Sequence, residues 1–287
     1  MISWNVQQGS LPAGQVEALS HRQPHIVALQ DVFYTVAPEF QDKLTQIGLP
    51  YSAYTLPNPP SPILQPAVPA SNARLRLPET LRHPKIGVLV ASAWPLTVLT
   101  SAETSIHVLW PERLLSVTIA SPWGAIELHN VYLPHQGHIL VLYHMLRALY
   151  AGLATPSQRH RILCGDLNLP VDELADGRII THGQKLVGDQ IVVTNALMDE
   201  AEHGVLRGLA PFGLVDVFRL LYGYEQQGWS YMDTKPPYHR LRLDHVLASP
   251  TLRPQLFRYQ HAWRESAPPL SDHAAAEVHF APALLGR

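Results

Sequence analysis

Between Gly87 and Val131 the chain carries three short apolar runs, Gly87–Ala91, Leu114–Ile119 and Ile126–Val131, with no helical periodicity among them. Strands that follow one another without a helix favour antiparallel pairing over a pure βαβ repeat. Elsewhere short apolar runs alternate with amphipathic stretches. The further expected strands are Ile2–Val6, Ile26–Leu29, Arg161–Cys164, Trp229–Met232, Leu243–Leu247 and Ala275–Phe280. The expected helices are Gln15–Ser20, Glu39–Ile47, Ile139–Leu153 and Asn195–Leu209. The pattern is a mixed α/β chain, and two packed sheets with outer helices suit its 287 residues. No repeat, heptad pattern or long charge run divides it, so residues 1–287 are read as one domain.

Six prolines between Pro57 and Pro69 preclude a helix or a central strand there. Pro57 to Leu77 is expected to form a surface loop inserted within the domain and bordering substrate selection. A net charge of -2 excludes a uniformly basic coat for nucleic acid, but not a local basic groove. The single cysteine, Cys164, excludes an internal disulfide framework and a cysteine-based zinc site. It lies in an apolar strand and reads as a small buried hydrophobe. Met1 runs into Ile2-Ser3-Trp4-Asn5 without a signal-like region, and no apolar run is long enough to span a membrane. The expectation is a soluble, cytoplasmic protein.

The informative residues stand where apolar strands stop. Asn5 ends the first run, Asp31 the second, and Gly165-Asp166-Leu167-Asn168 follows Leu163-Cys164. Asp244 lies inside another strand, and Asp272-His273 precede the last. Taken singly, each acid reads as a turn or cap residue, and Asp166-x-Asn168 as an Asx-turn. Taken together, acids beside long apolar runs are costly to bury unpaired, and they point to one shared site. Oxygen donors without cysteine select a hard cation, Mg²⁺ or Mn²⁺. A hard cation, carboxylates and a histidine suit phosphate-ester hydrolysis.

The ordered set resembles the endonuclease/exonuclease/phosphatase superfamily. Its blocks are Ser3-Trp4-Asn5-Val6, Val27-Ala28-Leu29-Gln30-Asp31, Asn130-Val131-Tyr132-Leu133-Pro134, Gly165-Asp166-Leu167-Asn168, Arg242-Leu243-Asp244 and Ser271-Asp272-His273. Tyr132-x-Pro134, and Leu214–Arg219 followed by Trp229-Ser230-Tyr231, resemble the exonuclease III and abasic-site endonuclease branch. The resemblance implies a four-layer αββα sandwich, two packed mixed β-sheets flanked by helices. It implies Asn5, Asp31 and Asp272 as metal residues. Asp166 is implied as the group that directs or deprotonates water, with Asn168 as its partner. Tyr132 and His273 are implied as phosphate contacts, and Asp244 as the acid that orients His273. The family usually has Glu where this chain has Asp31. Asp is shorter by one methylene, so ligation through water or an inward shift of the backbone is expected, either weakening metal affinity or favouring the larger Mn²⁺.

His135, Trp229 and Arg242 complete the candidates as substrate-binding residues. Trp229 and Tyr231 are read either as pocket walls that stack on a base or sugar, or as core. Arg74, Arg76, Arg82 and Lys85, with Arg240 and Arg242, are read either as phosphate contacts or as solvated loops. The expected function is a Mg²⁺- or Mn²⁺-dependent phosphodiester hydrolase, a nuclease acting on DNA rather than RNA. The alternatives are a phosphatase or phosphodiesterase acting on a lipid, inositol phosphate or nucleotide, and a catalytically weakened binding module.

Overall fold

Side chains alternate across a strand, and in β1 (Ile2–Gln8) this separates Ile2, Trp4 and Val6 from Ser3 and Asn5. The first three join an apolar cluster with Val16, Leu19, Phe40 and Leu44 of the helices outside the sheet. A computed structural model describes residues 1–56, 84–233 and 239–281. The proline-rich stretch expected as a loop, with Arg74, Arg76 and Arg82, lies outside the described residues.

After β1 come α1 (Pro12–Ser20), β2 (Ile26–Phe33), α2 (Ala37–Gln46), β3 (Tyr51–Tyr54), β4 (Ile86–Ser92) and β5 (Leu96–Val98). The single turn α3 (Ser101–Thr104) leads to β6 (Leu114–Ser121), β7 (Gly124–Tyr132), α4 (Ile139–Leu153) and β8 (His160–Asp166). Two small hairpins follow, β9 (Asp172–Glu173) with β10 (Ile179–Ile180), and β11 (Gln184–Val187) with β12 (Gln190–Val193). Then come α5 (Ala196–Leu206), β13 (Val215–Asp216), α6 (Val217–Tyr222), β14 (Tyr231–Met232) and β15 (Arg240–Leu241). The described chain closes with β16 (Asp244–Ala248), β17 (Pro254–Gln260), α7 (His261–Arg264) and β18 (Ala275–Phe280).

Two six-stranded sheets result, in the orders β17-β18-β1-β2-β4-β3 and β13-β16-β8-β7-β6-β5. Each holds one parallel pair, β1 with β2 and β7 with β8; every other pairing is antiparallel. Each parallel pair is joined through a helix, α1 or α4, as parallel connections require. The inner faces meet in a core that includes Ala28, Val90 and Ala276 from one sheet and Val117, Leu128 and Cys164 from the other. Burial pushes the Cys164 thiol up to about 12, so it is an inert packing group. A third cluster packs Leu142, Met145 and Leu149 of α4 with Val205 of α5 over Leu163 and Leu247. The layers run helix, sheet, sheet, helix, as the sequence implied. Among the described residues, no helix is long and apolar enough to cross a membrane.

Several local expectations differ. The strand expected over Trp229–Met232 covers only Tyr231–Met232, and Trp229 lies outside it. The helix expected over Asn195–Leu209 ends at Leu206, with Asn195 as its N-cap accepting from the Met198 N–H. β3, β5 and β17 lie at or near sheet edges, where polar and apolar residues mix and the alternation blurs.

Candidate active site

Both strands of a parallel pair run out at the same edge. That edge receives Asn5 and Asp31 from β1 and β2, and the register pair Tyr132 and Asp166 from β7 and β8. Antiparallel neighbours start at the edge where these end. β16 begins with Asp244 opposite Asp166, and Asp272 and His273 lie just before β18. The edges of the two sheets bound a cavity of about 640 Å³, bordered by Asn5, Asp31, Tyr132, His135, Asp166, Asn168, Asp272 and His273.

The backbone departs from regular strand geometry to aim these groups. Leu29 and Val32 both face the outer helices although three positions separate them, so β2 contains one residue too many for strict alternation. The irregularity falls at Gln30 and Asp31, and Asp31 takes a left-handed φ of 56°. A β-bulge of this kind re-aims a side chain, here from the helix side into the cavity. Gln7, Gln8 and Asn168 also have positive φ beside the site. Gly165 has a φ of +137°, and a Cβ there would fall 1.9 Å from the Val131 carbonyl oxygen. Only glycine lets β8 approach β7 this closely before Asp166.

Hydrogen bonds fix the constellation. Asn5 Nδ2 donates to Asp166 Oδ2 at 2.9 Å. The Asn168 N–H donates to Asp166 Oδ1 at 2.9 Å, and its amide donates to the Leu133 carbonyl at 2.7 Å. Asp166 and Asn168 therefore do form the Asx-turn, and that turn holds both side chains at the cavity. His273 Nδ1 lies 2.7 Å from Asp244 Oδ2, while its Nε2 faces Asp166 Oδ2 at 3.9 Å. Ser271 Oγ donates to the Asn5 carbonyl at 2.6 Å and accepts from the His273 N–H, tying the last segment to β1.

Charge states follow from these contacts. Burial raises the Asp166 pKa well above the usual carboxylate range; His273 opposes this and Asp244 adds to it. Burial disfavours charge on the His273 ring, but Asp244, Asp166 and Asp272 outweigh it and raise its pKa. Asp244 thus fixes an imidazolium with one N–H turned to the cavity. Burial likewise raises the Tyr132 phenol, with the charges of Asp31 and Asp166 adding, so it stays a donor.

Two groups of side chains invite a metal. Ligand atoms of Asp166, Asp244 and His273 lie within 4.8 Å of one another. There the 2.7 Å Asp244–His273 hydrogen bond already uses the ring Nδ1 and one carboxylate oxygen, leaving Asp244 Oδ1 buried without a partner. Asn5, Asp31 and Asp272 offer a second set of oxygen donors on the same cavity. Asp31 is buried with Oδ1 lacking any hydrogen-bond partner, and its pKa is raised by burial and by the charge of Asp272, against Arg113. A buried carboxylate with an empty oxygen and a like-charged neighbour is satisfied by a hard divalent cation.

Two of the expected substrate contacts are not at the cavity. The Arg242 guanidinium is buried and bonded to Glu173 at 2.5 Å and Asp216 at 2.6 Å, which removes it from substrate. Trp229 stacks on His261 at 4.1 Å, beneath the guanidinium groups of Arg240 and Arg264. Tyr231 borders the cavity instead, its ring 5.0 Å from that of His273. Asp244 is fully buried behind His273. Sequence reasoning missed Arg113, whose guanidinium lies 4.2 Å over the Tyr132 ring with a buried, unpartnered Nε. No motif marked this arginine; only the pairing of β6 with β7 brings it beside Tyr132.

No curated protein sequence matches the chain significantly. Solved structures do. An AP endonuclease from Archaeoglobus fulgidus superposes with a TM-score of 0.65 at 17% identity, covering 97% of this chain and 98% of its own. A 3'-5' exonuclease from Neisseria meningitidis gives 0.64 at 18% identity, covering 97% and 98%. D. rerio TDP2 complexed with single-strand DNA product gives 0.58 at 14% identity, covering 98% and 97%. These likenesses establish the fold. A sequence model of the Endonuclease/Exonuclease/phosphatase family matches residues 2–273, nearly the whole chain, and the protein belongs to that family of metal-dependent enzymes acting on phosphoester bonds.

Proposed function

We propose that the protein is a nuclease that hydrolyses phosphodiester bonds in DNA with Mg²⁺ or Mn²⁺. The supporting observation is the meeting of Asn5, Asp31, Asp166, Asn168, Asp272 and His273 in one cavity from the edges of both sheets. The DNA-directed activities of the structural neighbours support the substrate class. Asn5, Asp31 and Asp272 would hold the cation, which would supply charge neutralisation at the phosphate oxygens. Asp166, whose pKa is raised by burial, accepts the proton of the attacking water. Asn5 and Asn168 keep its carboxylate in one orientation. The His273 imidazolium, braced by Asp244, donates to the phosphate and stabilises charge that grows in the transition state. Tyr132 and His135 complete the phosphate-facing wall.

The test is cleavage of labelled duplex DNA, with and without a single abasic site, in Mg²⁺ and then Mn²⁺. Asp166→Asn is expected to lower the rate by about 10²–10⁴-fold, the usual worth of a general base, with folding intact. Near-normal cleavage by that variant would remove Asp166 from this role. A second reading has one observation in its favour: among the described residues, neither Lys nor Arg borders the cavity. A substrate with fewer phosphates, a phosphomonoester or lipid headgroup, suits such a wall. Absence of DNA cleavage with either metal would move the assignment there.

A further inference from the structure

Asp244 braces His273 from behind, and a second histidine bordering the same cavity is braced in a similar way. His182 follows β10, and its Nδ1 lies 3.0 Å from Glu202 Oε1. The backbone N–H of His182 donates to the same oxygen at 2.8 Å. Glu202 is fully buried on α5. Asp199, three residues earlier on that helix, accepts from the Thr181 hydroxyl at 2.8 Å and the Gln184 amide at 2.7 Å. The loop is therefore tied to α5 on both sides of His182. A Cβ at Gly183 would fall 2.4 Å from the Asn195 carbonyl oxygen, so the loop lies directly on the helix backbone.

This anchoring leaves one group facing outward. Among the described residues, His182 Nε2 has no hydrogen-bond partner, and His182 borders the cavity. Glu202 Oε2 is buried and accepts nothing. A buried carboxylate in that state is stabilised by an adjacent cation. Among the described residues, His182 is the basic group within 4.0 Å of it. Paired in this way, Nδ1 is taken by Glu202 and Nε2 is the ring atom left for the cavity, where it can meet a phosphate oxygen. The mechanism gives His182 no part in the scissile phosphate.

We propose that His182, positioned by Glu202, binds a second phosphate of the substrate, adjoining the one hydrolysed. The proposal rests on the reading of the cavity as a phosphoester site. Two adjoining phosphates occur along a nucleic-acid strand and in a free nucleoside bisphosphate.

Calorimetric titration tests it in the Asp166→Asn background with Mg²⁺, where turnover does not interfere. The ligands are thymidine 5'-monophosphate, thymidine 3',5'-bisphosphate and a 5'-phosphorylated dithymidylate. With His182 intact, the ligands with two phosphates should bind roughly tenfold tighter than the monophosphate, the worth of one charge-assisted hydrogen bond. His182→Ala should erase that margin and leave monophosphate binding unchanged, and His182→Lys should restore part of it. Glu202→Gln keeps an acceptor for the backbone N–H and should shrink the margin. A margin with the dithymidylate alone assigns the second phosphate to a strand; a margin with both ligands makes a free bisphosphate sufficient. Equal weakening of all ligands by His182→Ala, or an unchanged margin, overturns the proposal. If no ligand binds with His182 in place, the phosphate reading of the cavity falls, and this proposal with it.

Discussion

Asp31 concentrates the conflict between stability and activity. Its carboxylate is buried, one oxygen is unpartnered, and Asp272 repels it. Its pKa is raised in the folded protein, so the metal-free fold is favoured below the unfolded value and loses stability as pH rises through the folded one. Asp31→Asn removes that charge. The variant should gain on the order of 1 kcal/mol of metal-free stability near neutral pH, and should lack the rise in melting temperature expected of the wild type with Mg²⁺ or Mn²⁺. Thermal melts with chelator and with each metal check both halves. That Asp31 borders the cavity was legible from the apolar run Ile26–Leu29 just before it. The bulge that aims it was not, because Gln30-Asp31-Val32 contains no glycine to mark the left-handed turn.

At the level of elements, the β9–β10 excursion is pinned beneath the site by charge. Arg242, two residues before Asp244, joins Glu173 of β9 to Asp216 of β13, and Arg219 of α6 bonds the same Glu173 at 2.8 Å. Burial alone would raise Glu173, but Arg242 and Arg219 hold it down at about 2. Its folded pKa lies below the usual value of 4.5. The stabilisation is therefore complete above about pH 4.5 and fades as pH falls towards 2. Glu173→Gln should flatten this acid limb of a urea-denaturation profile. Arg242→Met should destabilise by about 3–5 kcal/mol, because it leaves two buried carboxylates short of a partner. Arg242 shows the limit of reading a phosphate contact from a motif: its partners stand 69 and 26 residues away, and nothing local announces them. Where the signal is local, reading worked. Ile139–Leu153 and Ala275–Phe280 have the bounds their periodicity implied, one apolar at helical spacing and the other buried along most of its length.

For the molecule as a whole, order along the chain and position in space are decoupled. The site joins Asn5 of the first strand to Asp272 and His273 just before the last, and β1 pairs with β18. The six short blocks were readable because each places a polar residue within or beside an apolar strand. The cavity wall from the loop at His182 was not, because a hairpin excursion and a helix bring it back. The consequence appears during synthesis. Ribosomes add roughly 5–20 residues per second, so Asn5, proposed above as a metal residue, waits many seconds for its counterparts. On the proposed roles of Asp272 and His273, a nascent chain should be hydrolytically silent until both have left the exit tunnel, however much of the two sheets has already docked. Chains stalled just before and just after that emergence, assayed on the same phosphodiester, should differ as absence from presence of cleavage. Activity from the shorter chain would mean that the last acid and histidine are dispensable.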